Sequence, residues 1–213
     1  MLASGIIEGR KTFANNTKYI LNTISANFGN MSTVALSSLF LAFIPLLPSQ
    51  ILLNNFLSDL PMVAIATDRV DPQLLQRPRR WNIGAIARFM VIFGTLSAMF
   101  DLVLMAVLLH SQVPLVLFRT AWFIESACSE VLVTFAIRPR LAVWRSRPSG
   151  WLVWSSVAIG LVAFGLPFTG LGGRYFEFVA PPAPLIELVA LVLVAYFAAA
   201  ELLKRPFFRR LEI

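Results

Sequence analysis

One cysteine and one histidine among 213 residues remove most of the chemistry that proteins build from those side chains. Cys128 has no second thiol to pair with, so an intrachain disulfide is excluded, and no Cys or His stands at metal-ligand spacing from it. His110 falls at the end of an apolar run, where an interfacial position is expected, and a lone histidine leaves little from which to assemble a Ser/His/Asp or Cys/His set. Charge is scarce too, at 14% of residues. No Gly-x-x-x-x-Gly-Lys phosphate loop occurs, no Asp-Lys-Thr-Gly-Thr phosphorylation sequence, and no polar stretch long enough to fold a nucleotide-binding domain. By itself the chain is expected to hydrolyse nothing. Residues 1–18 lack the apolar core of a signal peptide.

What is present is apolar. Hydrophobic residues make up 58% of the chain, its mean hydropathy is +0.76, and the apolar residues come in several long blocks, the pattern of a polytopic membrane protein. The expected fold is an all-α bundle of six transmembrane helices, the length of each block matching a bilayer crossing. A cytosolic stalk over 1–23 runs into the first span, about 24–47, and Pro45 and Pro48 make a short turn. Further spans are expected at about 50–67, 89–109, 117–137, 151–168 and 185–203 within a domain over 24–204, with a basic cytosolic tail over 205–213. Trp151 and Trp154 read as interfacial anchors.

The formal charge of +7 raises the question of nucleic acid. Its placement answers differently: the basic residues flank the spans. Sixteen of the 18 lysines and arginines fall on one face of a six-span topology, leaving Arg119 and Arg174 on the other. The positive-inside rule then puts both termini in the cytoplasm.

The stretch with the greatest chemical content lies inside the second span. Asn55, Ser58 and Asp59 are spaced i, i+3 and i+4 and are expected to share a helical face. Pro61 has no N–H and should free the carbonyl of Leu57. An amide, a hydroxyl, a carboxylate and a carbonyl are hard oxygen donors suited to Mg²⁺, Ca²⁺ or alkali cations, and an ionisable residue within a span is a functional hypothesis by default. The bland alternative is interhelical glue. Asn27 and Asn30 share a face of the first span, with Ser37 two turns beyond, and could meet the second span across the Pro45–Pro48 turn. One certain carboxylate could not neutralise a bare divalent ion, so the site suits a partly hydrated Mg²⁺ or needs another acid. In span four, Glu125 and Glu130 diverge by about 140° on a helix of 3.6 residues per turn, so one of them is expected to face the centre, and Glu125 is taken as the candidate. Asp101 is read as structural, Glu187 and Glu201 as interfacial, Gly29 and Gly94 as close-packing positions.

These residues also carry a resemblance. Ile7-Glu8-Gly9-Arg10-Lys11-Thr12-Phe13-Ala14-Asn15 resembles the segment leading into the fifth transmembrane helix of P-type cation ATPases, and Asn27-Phe28-Gly29-Asn30 is similar to that helix's ion-binding stretch. Asn55-Phe56-Leu57-Ser58-Asp59-Leu60-Pro61 resembles the sixth helix. Asp68-Arg69-Val70-Asp71, Arg77-Pro78-Arg79-Arg80-Trp81-Asn82, Arg88-Phe89-Met90, Phe100-Asp101 and Trp122-Phe123-Ile124-Glu125-Ser126 look closest to the magnesium-transporting branch. The resemblance implies the last six of ten membrane helices of a magnesium-importing pump in a bacterial inner membrane. It makes Asn27, Asn30, Asn55, Ser58 and Asp59 candidate ion-path residues; with Glu125 added from the reading of span four, Asp59, Asn55 and Asn30 are the candidate Mg²⁺ ligands. Where calcium pumps carry Glu, this chain has Asn30. Mg²⁺ is implied as the transported ion, and ATP enters only through domains outside this chain. The implied partners are the lipid bilayer and the remainder of the pump, with its actuator, phosphorylation and nucleotide domains and spans one to four. The alternatives are a stand-alone non-catalytic membrane subunit, a passive cation channel formed by oligomers, and a truncated remnant.

Overall fold

A computed structural model of the chain describes residues 2–76, 78, 80–138, 143 and 146–210. Arg77, Arg79, Pro139, Arg140 and Arg145 of the two basic loops, and 211–213 of the tail, lie outside the described residues. Among the described residues there is no strand. The helices are α1 (Leu2–Ser37), α2 (Pro48–Ala64), α3 (Pro72–Leu75), α4 (Ile83–His110), α5 (Leu115–Ile137), α6 (Gly150–Gly165), α7 (Gly170–Phe176) and α8 (Ala183–Arg210). Short 3₁₀ turns over Ile65–Thr67 and Leu166–Phe168 extend α2 and α6.

Four of the described helices are long and apolar enough to cross a membrane: Ile83–His110, Leu115–Ile137, Gly150–Phe168 and Ala183–Phe208. The first expected span stops early. α1 ends at Ser37, and 38–47 runs on as turns and irregular chain. The physical reason is local: the hydroxyls of Ser37 and Ser38 donate to the carbonyls of Val34 and Ala35, and downstream Pro45 bars the helical conformation for the residue before it. The other helices start and end on the expected chemistry. Pro48 opens α2, and the side chain of Gln50 accepts from the Leu47 N–H at 2.9 Å while donating to the Phe176 carbonyl at 2.7 Å. Asn82 caps α4 by accepting from the N–H of Ala85, and Ser149 caps α6 by accepting from Leu152.

α5 is the hub. Of its most apolar stretch, 83% is buried, against 39% or less for α4, α6 and α8. Phe118, Trp122 and Phe123 are enclosed by Leu104 and Leu108 of α4, Ile159 and Ala163 of α6, and Val189 of α8. The outer faces carry exposed Leu52, Phe56, Met99, Val103, Leu161 and Leu191. In lipid such side chains gain nothing by leaving the tails, so close packing and polar contacts must hold the bundle. The pair α1 and α4 illustrates this. Gly29 and Gly94 face each other so closely that a Cβ on Gly94 would sit 2.5 Å from Phe28 Cδ1 and 3.0 Å from the Ser25 carbonyl oxygen.

Candidate functional site

α2 has two polar stripes. Its buried face holds Gln50, Asn54, Ser58 and Pro61, at helical spacing. Asn55 is half-buried and Asp59 is exposed on the adjoining face, as is Asn27 on α1. The expected single face of Asn55, Ser58 and Asp59 is therefore split: Ser58 turns inward and Asp59 outward. Asn54, which sequence reasoning passed over, is the inward amide, 3% exposed. The i, i+4 spacing of Gln50, Asn54 and Ser58 was the signal that could have found it. Pro61 lies inside α2 and offers no N–H to the carbonyl of Leu57.

Three helices converge on Glu130. Its Oε1 accepts from Asn30 Nδ2 of α1 and from Asn54 Nδ2 of α2, the latter at 3.2 Å. The Ser58 hydroxyl, buried on the same face of α2, donates to the Asn55 carbonyl at 3.1 Å. Asn54 Nδ2 reaches Ser126 Oγ at 3.0 Å, while Asn54 Oδ1 is buried with no partner among the described residues. The result is a buried group of amide, hydroxyl and carboxylate oxygens between α1, α2 and α5. No three His, Cys, Asp or Glu side chains of the described residues form a metal-holding group.

Glu125 is elsewhere. Both acids of α5 are buried, Glu125 to 1% and Glu130 to 5% exposed. Against the sequence expectation, it is Glu130 that meets Asn30 and Asn54. Glu125 is buried away from that group, and its Oε2 has no hydrogen-bond partner among the described residues. The 140° divergence was read correctly, but in a helix packed on all sides both directions are interior. Asp101 on α4 accepts from Thr33 Oγ1 at 2.7 Å and from Trp122 Nε1 at 3.1 Å.

A third cluster closes one end of the bundle. Asp68, just past α2, accepts from Lys18 Nζ at 2.7 Å, from Arg138 Nη1 at 2.8 Å and from the Ser149 N–H at 3.1 Å. Its side chain is fully buried, as is that of Arg138. Lys18 also donates to the Arg69 carbonyl, Asn15 Nδ2 to the carbonyls of Ala66 and Asp68, and Arg138 Nη2 to the Ser146 carbonyl. Burial alone would raise the Asp68 carboxyl, but Lys18 and Arg138 outweigh it and hold it below the ordinary carboxylate range. Lys18 goes the other way for its own charge: burial, its largest influence, outweighs the attraction of Asp68 and draws it below the ordinary lysine range. Glu201 is also not interfacial. It is 6% exposed, pairs with Lys204 at 2.7 Å and accepts from the Val143 N–H. The lysine in turn donates to the Ala136 carbonyl at 2.7 Å.

Comparison with known proteins places this architecture. Residues 43–205 match the family described as "Cation transporting ATPase, C-terminus". The chain is 37% identical over 99% of its length to the protein named "Magnesium-transporting ATPase, P-type 1" of Escherichia coli (strain K12). It is 38% identical over 99% of its length to the protein of the same name in Salmonella typhimurium (strain LT2). A more distant likeness, 33% identity over 41% of the chain, is to "Calcium-transporting ATPase" of Bacillus subtilis (strain 168). The chain spans about a quarter of the length of the magnesium-transporting relatives, 24% in each case. With its apolar helices it is a multi-pass membrane protein that corresponds to the C-terminal region of these pumps, and it belongs to the cation-transporting ATPase C-terminal family.

Proposed function

We propose that the chain is the cation-conducting end of a magnesium-importing P-type ATPase. The observation that carries the reading is the convergence of the Asn30 and Asn54 amides on the buried carboxylate of Glu130, with Ser126 on the Asn54 amide and Ser58 on the same buried face of α2. The expected topology is six crossings with both termini in the cytoplasm of a bacterial cell, the bilayer being the inner membrane. Mg²⁺ is the cargo. ATP chemistry belongs to domains outside these residues, and phosphorylation there would move this segment between two access states through the stalk end of α1.

The ion path is built from Asn30 and Ser58 with Glu130 on its inner wall, and from Asn27, Asn55 and Asp59 on the outer face of the α1–α2 pair. Asp59 and Asn27 are exposed in the chain taken alone. In the whole pump a further span would cover them, and a charged group at that depth requires such cover. Two carboxylates set among amide and hydroxyl oxygens match an ion that keeps part of its water shell, as Mg²⁺ does.

The test is uptake. In the full-length pump that carries this segment, expressed in cells with no other magnesium uptake, Asp59→Ala and Glu130→Gln are each expected to abolish growth at limiting magnesium. Formation of the phosphorylated enzyme from ATP checks that both variants fold. Normal uptake by Asp59→Ala would remove that residue from the path, and normal uptake by both would end the reading.

A further inference from the structure

Asn22 on α1 is fully buried, yet neither its Oδ1 nor its Nδ2 has a hydrogen-bond partner among the described residues. Turning the amide over exchanges the two atoms and partners neither, so the placement of oxygen and nitrogen is not the cause. An unpaired amide in an apolar interior is costly, and leucine would fill the same space without that cost.

The surroundings of Asn22 follow from its neighbours. Leu21 shares a core cluster with Val133, Ala136 and Ile137 of α5, and Thr23 donates to Met62 Sδ of α2 at 3.3 Å. Asn22 lies between these two directions and faces the junction of α1, α2 and α5. Lys18, one turn away, reaches Asp68; Asn30, two turns the other way, reaches Glu130. At 1.5 Å per residue the two polar clusters are separated by about 18 Å of α1, with Asn22 between them.

Asn22 is one of a series. Among the described residues, five of the eight buried side-chain nitrogen and oxygen atoms without a partner lie along this seam. They are both amide atoms of Asn22, Oδ1 of Asn15 and Nε of Arg138 toward Asp68, and Oδ1 of Asn54 toward Glu130. Asn54 belongs to α2 and Arg138 caps α5, so the unmet groups come from all three facing helices. Between the ends fall the Leu57 carbonyl, to which Pro61 offers no N–H, and the hydroxyl of Thr134, which donates to its own helix at the Glu130 carbonyl.

The donor and acceptor pattern selects the ligand. A metal ion would leave Nδ2 unmet, an anion would leave Oδ1 unmet, and an apolar ligand would leave both. Water donates and accepts at one point and takes two to four polar partners when buried. We infer that Asn22 is the centre of an internal water site, and that ordered water runs along the α1–α2–α5 seam and joins the Glu130 group to the Asp68 cluster. Asp68 and Arg138, whose side chains have no exposure, close one end, so the file is enclosed rather than an open channel. The inference does not depend on the identity of the transported ion.

The experiment is solid-state NMR of this chain in lipid vesicles, with polarisation transferred from water protons to ¹⁵N-labelled side chains. The Asn22 amide signal is assigned by its loss in Asn22→Leu and Asn22→Ser. It is expected to gain water polarisation well ahead of the Trp122 indole, which is also buried but donates to Asp101. Thermal unfolding gives a second reading, whose sign differs between a hydrated amide and a bare one. Asn22→Leu keeps the shape of the side chain. If Asn22 holds water, this variant deprives the water's other partners and melts below the parent; if the amide is bare, the variant removes its cost and melts above. Transfer to Asn22 no faster than to Trp122, or an Asn22→Leu midpoint at or above that of the parent, would overturn the inference.

Discussion

Asp68→Ala is expected to lower the stability of the chain by about 3–5 kcal/mol, the range for removing one partner of a buried ion pair. The magnitude follows from what is left behind. Arg138 has no side-chain exposure and Lys18 has 8%, so both cations would keep their burial and lose their counter-ion. The Ser149 N–H would lose its acceptor as well. This carboxylate joins α1, the end of α2, the end of α5 at Arg138 and the start of α6 at Ser149, so its loss should loosen four elements together. Asp68→Asn is expected to be nearly as costly, since it keeps the shape and removes the charge. Unfolding in mixed micelles, followed by loss of helical circular dichroism, measures both variants. A cost of less than about 1 kcal/mol, the level of an exposed pair, would mean that water reaches the cluster and that the buried-pair account is wrong.

The pH dependence has a definite sign. The folded-state pKa of Asp68 lies below its unfolded value, so its stabilisation is fully present above about pH 4, the ordinary value for an aspartate, and is lost as the pH falls through the lower folded value. The parent should therefore lose stability on the acid side of that point. Asp68→Asn should show a shallower acid slope in the same titration. Parallel slopes would place the acid-sensitive group elsewhere.

The contrast between what could and could not be read in the sequence has a common physical origin. Hydropathy and length identified α4, α5, α6 and α8, because a bilayer imposes its thickness on every crossing. Helical periodicity then places residues on a face but does not say which faces are covered. It grouped Ser58 with Asp59, although the buried stripe runs through Asn54 and Ser58. It correctly separated Glu125 from Glu130, yet the choice between them turned on neighbours that the sequence does not position. Charge counting had the opposite problem. Lys18, Arg138 and Lys204 were counted as flanking charges that orient the spans, and each is buried on a specific acid or carbonyl. Asp68 entered the sequence reading through the Asp68-Arg69-Val70-Asp71 likeness alone, and nothing local marked it as the point where four segments meet. Gly29 and Gly94 were legible as close-packing positions because small residues in membrane helices have few other uses.

Gly94→Leu should therefore be the most damaging change on an apolar face. The space for a side chain is absent: a first carbon would meet Phe28 Cδ1 at 2.5 Å, the Ser25 carbonyl oxygen at 3.0 Å and the Gly29 nitrogen at 3.2 Å. Phe28 can rotate away, but the two backbone atoms belong to α1 and move only if the helix moves. Overpacking of this kind costs typically about 1–3 kcal/mol, and more where backbone must shift. The displacement also reaches the polar sites. Asn30 contacts Glu130 and Thr33 contacts Asp101 from the same face of α1, so separating α1 from α4 should weaken both hydrogen bonds together. Gly160→Ala on α6 is the control, because a Cβ there meets nothing within 4 Å and alanine favours a helix over glycine by about 1 kcal/mol. The expected result is a lower unfolding midpoint for Gly94→Leu and an unchanged or higher one for Gly160→Ala. If Gly94→Leu unfolds with the parent, α1 and α4 are not in close contact, and the link that one turn of α1 makes between Glu130 and Asp101 is lost with it.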